Sequence, residues 1–174
     1  MPSTYTLISS NVLGSSASSV TFSSIPATYT DLVLRVSARG DDGGLSYEGF
    51  WIRVNGNSSQ IYSNTNLFAN NTTVVANRDA NVSVTNVLMS VGGSTATSNT
   101  FGNTEVYIPS YRASQNKQMS SSAVTETNAS STYIGVMANL ARDTNPITSL
   151  EMRPLYSSNF VSGSSFYLYG IKNS

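Results

Sequence analysis

Apolar residues along this chain recur chiefly at every second position, the period of a strand with one face buried. The segment 164–172 carries Phe166, Leu168 and Gly170 on one face and Tyr167, Tyr169 and Ile171 on the other. A strand that is apolar or aromatic on both sides belongs inside a sheet. Its expected neighbour is 31–39, where Leu32, Leu34, Val36 and Ala38 alternate with Val33, Arg35, Ser37 and Arg39. That pairing would tie the C-terminus to an early strand and close the domain.

The same reading predicts strands at 4–9, 18–23, 49–55, 72–76, 82–91, 104–109, 118–127, 132–140 and 147–153. Asn55-Gly56 is a strong hairpin signal, and 60–63 would be the returning strand. A helical period can be drawn through 133–142, but its Tyr, Ile, Gly and Val favour strand. Prolines 26, 109 and 154 bar ladder donors at strand ends. About eight to ten strands at regular spacing, with turns between them, is the pattern of a β-sandwich or jelly roll. The expected fold is all-β: a single antiparallel, jelly-roll-like β-sandwich spanning residues 1–174, both of whose ends are held in the structure.

Composition then removes most chemistry. The 174 residues include no cysteine, which excludes disulfides, thiolate catalysis and cysteine-held metals. They include no histidine either, so every His-dependent triad or metal site is lost. Nine basic and nine acidic residues give a formal charge of zero, which argues against a nucleic-acid partner. The opening Met-Pro-Ser-Thr-Tyr-Thr has no signal-peptide pattern, and no apolar run approaches membrane-spanning length. A neutral surface of Ser, Thr, Asn and Gly suits packing against copies of itself or another protein.

Glu105, Glu126 and Glu151 are the remaining catalytic material, and a pair of them facing across a sheet could serve a glycosidase. Ion pairing with Arg35, Arg53 and Arg153 accounts for them better. Asp41-Asp42-Gly43-Gly44 with Glu48 offers hard oxygen ligands for calcium, but lacks EF-hand spacing and reads as a hairpin loop. Trp51 and the ten tyrosines could form a sugar-stacking platform, although burial or a subunit interface explains them equally well. Asn-x-Ser/Thr triplets begin at Asn57, Asn70, Asn71, Asn81 and Asn128, the number such a composition produces by chance. No catalytic, cofactor-binding or metal residue is assigned, and the chain is not expected to be an enzyme.

Three segments resemble parts of tailed-phage virion structural proteins: Tyr5 to Ser10 (Tyr-Thr-Leu-Ile-Ser-Ser), Val20 to Val36, and the closing Gly-Ser-Ser-Phe-Tyr-Leu-Tyr-Gly-Ile-Lys from Gly163. The resemblance covers roughly the first and last fifths of the chain. It implies an oligomeric β-sandwich component of a bacteriophage particle, made in the host cytoplasm, and carries over no catalytic residue. The expectation that follows is a capsid decoration (cement) protein on the capsid surface, bridging neighbouring copies of the major capsid protein. A homotrimer would suit a lattice site, with residues 1–10 a candidate docking segment. No nucleic acid, membrane or cofactor is expected. The alternative is a short head or tail fibre, a receptor-binding module recognising host-surface polysaccharide.

Overall fold

The computed structural model of the chain describes residues 4–128, 131–156 and 159–172, the side chains of Leu88 and Met89 excepted. These residues form twelve strands and no helix: β1 (Tyr5–Val12), β2 (Val20–Phe22), β3 (Asp31–Ala38), β4 (Tyr47–Val54), β5 (Tyr62–Asn70), β6 (Thr73–Val82), β7 (Thr85–Gly92), β8 (Gly102–Ile108), β9 (Lys117–Thr125), β10 (Tyr133–Ala141), β11 (Leu150–Pro154) and β12 (Ser165–Ile171). One sheet has eight strands in the order β1-β12-β3-β8-β9-β10-β5-β6, the other four in the order β2-β11-β4-β7, and all pairings within them are antiparallel. The chain changes sheet after β1, β2, β3, β4, β6, β7, β10 and β11, and stays in the larger one only for the β5–β6 hairpin and the β8–β9–β10 meander. This interleaving is that of a jelly roll, with added strands widening one side.

The expected partnership of the last strand with 31–39 is present: Phe166 lies opposite Val36, and Leu168 opposite Leu34. All four are buried, and they face Phe50, Ile52 and Val54 of β4 and Leu150 and Met152 of β11 across the sandwich. Phe160 joins the layers, its ring 5.0 Å from Phe166 and 6.5 Å from Phe50 in edge-to-face contacts. Gly170 takes an inward position with the Tyr29 ring laid directly on its backbone, where a Cβ would fall inside the ring. Of residues 1–10, expected as a docking segment, 1–3 lie outside the described residues and 5–10 lie in β1, which pairs with β12 as a mostly exposed edge strand.

Asn55 and Gly56 have φ of 52° and 65°, the left-handed pair that the expected turn requires. The expected hairpin is absent, however. β4 pairs with β11 and β7, and the chain after the turn crosses to the other sheet as β5. Tyr62 explains the crossing. Its buried hydroxyl donates to the Asn57 carbonyl at 2.8 Å and accepts from the Val54 amide at 3.2 Å, drawing the start of β5 across the sandwich edge. The Asn55 side chain fastens the turn the other way, donating to the Pro146 carbonyl at 3.0 Å and accepting from the Thr148 amide at 2.8 Å.

Two cations organise loops. Arg39 follows β3, and its guanidinium donates to four carbonyls of the β7–β8 connection: Ser94 (2.8 Å), Ala96 (3.0 Å), Thr97 (2.8 Å) and Thr100 (3.1 Å). Lys117 is buried at the start of β9, where its ammonium donates to the Ala113, Gln115 and Asp143 carbonyls; burial lowers its pKa.

Candidate interaction surface

Burial on β10 falls on Tyr133, Gly135, Met137, Asn139 and Ala141, which turns Ile134, Val136 and Ala138 out to solvent. The neighbouring strands agree in register. Ile134 lies between Val124 of β9 and Ala69 of β5, with Val74 of β6 beyond; Val136 lies between Ser122 and Leu67, with Ala76 beyond. A four-strand aliphatic surface results, with Leu67, Val74, Val124, Ile134 and Val136 all exposed.

The other half of the same outer face is aromatic. Tyr167 and Tyr169 stack at 6.5 Å, Tyr5 meets Tyr169 edge to face, and the Arg35 guanidinium lies 5.6 Å from the Tyr5 ring centre and 5.7 Å from that of Tyr169. Tyr107 donates to the Asp31 carboxylate at 2.9 Å, and partial burial together with that bond raises its pKa. Small residues on β9, Ser120 and Ser122, floor a trough between the halves. A depression of about 680 Å³ in it is walled by Leu67 and Val136 on one side and Glu105 and Tyr107 on the other. Among the described side chains, the exposed large apolar ones all belong to strands of the eight-stranded sheet, Tyr156 excepted.

The three glutamates do not meet. Glu105 lies on this outer face, paired with Arg35 at 2.8 Å; Glu151 lies on the outer face of the smaller sheet, 3.4 Å from Arg53 and 3.7 Å from Arg153. Glu126 accepts from the Asn128 amide just beyond β9. Trp51 carries Arg53 at 4.7 Å and Arg153 at 5.8 Å from its ring centre, so cations already occupy the surface expected as a sugar platform. The Asp41 carboxylate accepts from the Asn159 backbone and side-chain nitrogens at 2.9 and 2.7 Å, and Asp42 accepts from the Gly44 amide at 2.8 Å. Both therefore close loops, and Glu48 is buried in β4. Among the described residues, no three His, Cys, Asp or Glu side chains come together as a metal site. Three of the Asn triplet positions, Asn71, Asn81 and Asn128, have the positive φ of turn residues.

One feature of the interior had no hydrophobic signal. Asn64 and Asn66 of β5 and Asn139 of β10 point inward and are buried, with Asn139 directly opposite Asn64. Asn66 donates to Asn64 at 3.1 Å, and Asn139 to Ser121 at 3.4 Å. The Asn64 Nδ2, Asn66 Oδ1 and Asn139 Oδ1 atoms have no hydrogen-bond partner among the described residues.

Comparison of the chain with protein-family models, with curated proteins and with solved structures finds no match.

Proposed function

We propose that this chain is a structural component of a bacteriophage particle: a capsid decoration (cement) protein that binds the assembled shell through protein-protein contacts. The observation that carries the reading is the outer face of the eight-stranded sheet, which leaves aliphatic and aromatic side chains exposed over most of its width. Exposed apolar surface of that extent is characteristic of a contact face. The low, balanced charge supports the same reading, because it places little repulsion between the chain and its neighbours. So does the resemblance of the two ends of the chain to virion structural proteins. A protein that binds only the assembled shell stabilises that state by mass action.

The second reading, a fibre or receptor-binding module for host polysaccharide, draws on the stacked Tyr167–Tyr169 pair and the hydroxyl-floored trough beside Tyr107. The test is the copy number of this protein relative to the major coat protein in purified particles, by quantitative mass spectrometry. Near-equal copies are expected. A few copies per particle would favour the fibre reading, and absence would overturn both.

A further inference from the structure

We infer that the aliphatic half of the outer face is where a second copy of this chain packs, sheet against sheet. The inference rests on the reading of the chain as a contact-built component and names the occupant of one contact. Strands β9, β10, β5 and β6 each present four outward positions in register, and Arg78 is the only charged residue among the sixteen. The face is therefore nearly free of the desolvation cost that charged surface imposes on contact. Four strands about 4.8 Å apart, nine or ten residues long at ~3.3 Å per residue, make a face of about 600 Å². A standard interface covers about 800 Å² on each partner, so this face supplies most of one.

Charge placement selects a copy of the same chain as the occupant. Arg78 lies at the β6 edge of the patch and enters none of the ion pairs found among the described residues. Follow its row across the sheet, Arg78 to Thr65, Ala138, Ser120 and Tyr107, and the opposite border is reached at β8, where Glu105 is the next outward residue. A two-fold axis parallel to the strands and passing over β10 lays β6 of each copy above β8 of the other. Each Arg78 then stands over the partner copy's Tyr107, a cation over an aromatic ring, and beside its Glu105, one of whose carboxylate oxygens already accepts from Arg35 at 2.8 Å, so the ring is the main attraction. Ile134 and Val136 meet their own copies at the centre, and each Leu67 lies over the partner copy's Ser122, face to face as in a sandwich. The arrangement is isologous and closed, so it ends at two copies.

The test is sedimentation equilibrium of the full chain from about 1 to 100 μM. A dimer is expected. Val136→Lys and Ile134→Lys place a charge at its centre and should each weaken it about a hundredfold, and Arg78→Glu about tenfold. Both aliphatic positions are more than half exposed, so the variants fold, which circular dichroism verifies; should one not, the other carries the test. A chain that stays monomeric throughout, or an assembly that keeps its mass in Val136→Lys, overturns the inference. The two readings fail separately. A monomer present on particles at coat-protein copy number would sink the dimer alone, and a Val136-dependent dimer absent from particles would sink the virion role alone.

Discussion

Replacing Arg39 with methionine keeps most of the aliphatic stem and removes all four hydrogen bonds of the guanidinium. The carbonyls of Ala96 and Thr100 are partly shielded at their contacts with the guanidinium, whereas those of Ser94 and Thr97 are open to water. A hydrogen bond to a charged group contributes about 1.5–3 kcal/mol where water is excluded and little where water can replace it. Counting the two shielded bonds at the lower bound and neglecting the exposed pair gives a loss of about 3 kcal/mol. For a domain of this size that corresponds to a fall in Tm of roughly 6–12 °C. Arg39→Lys should recover only part of the loss, because an ammonium lacks the planar fork that reaches four acceptors at once. Urea unfolding would measure the change, and amide hydrogen exchange should locate it as faster exchange across 93–101. A variant within about 0.5 kcal/mol of the native chain, with unchanged exchange there, would refute the assignment of this arginine as the organiser of the β7–β8 connection.

Other outcomes follow from the same geometry. Gly170→Ala should cost about 1–3 kcal/mol by driving a methyl group into the Tyr29 ring, and Tyr29→Ala in the same chain should remove most of the added cost in a double-mutant cycle. Asn139→Leu should leave stability within about 1 kcal/mol or raise it, because it removes an orphaned buried carbonyl; a larger loss in urea would show that the amide is satisfied after all. Arg35→Ala should change stability by less than about 1 kcal/mol, since its partner Glu105 is as exposed as it is. The chain has no histidine or cysteine, so no side chain carries an unperturbed pKa between about 5.5 and 8.5. Burial raises the phenol pKa values of Tyr62, Tyr111 and Tyr133 above 10.0. Their contribution is complete below pH 10 and is lost as pH rises through the raised values. Lys117 acts oppositely, its lowered pKa favouring the fold as pH climbs toward 10.5, but one ammonium against these phenols and those of Tyr107 and Tyr156, also raised, leaves a net loss above pH 10.

The pairing of β12 with β3 was legible because β12 is apolar or aromatic on both faces, the pattern of an interior strand, and β3 carries the other strong run of alternating apolar residues. β5 was legible only at its first residues. Its inward positions after Tyr62 are Asn64 and Asn66, so the alternation that marks a strand is written in amides. The Asn55-Gly56 turn was read correctly at the level of backbone geometry, yet the two strands it joins lie in different sheets. That outcome depends on β4 being taken by β11 and β5 by β10, pairings between segments far apart in sequence that local spacing does not encode. The aliphatic patch was hidden for a related reason. Periodicity sorts Ile134 and Val136 from Tyr133, Gly135 and Met137, but it does not say which set faces the core. Tyr133 stacks on Tyr47 at 4.1 Å, and Gly135 admits Phe68 closely, so the bulkier aliphatics are left outside.

The unequal width of the two sheets gives the molecule the proportions of a tile. Eight strands side by side, about 4.8 Å apart and some 25–30 Å long, spread the larger sheet over roughly 1,000 Å², while four strands suffice to bury its central band. A sandwich with two equal sheets would need more chain to cover the same ground. The β6 margin, exposed along nearly its whole length, extends that cover beyond the core, like the lip of a roof slate. A short chain built this way offers much contact area for each residue a genome must encode.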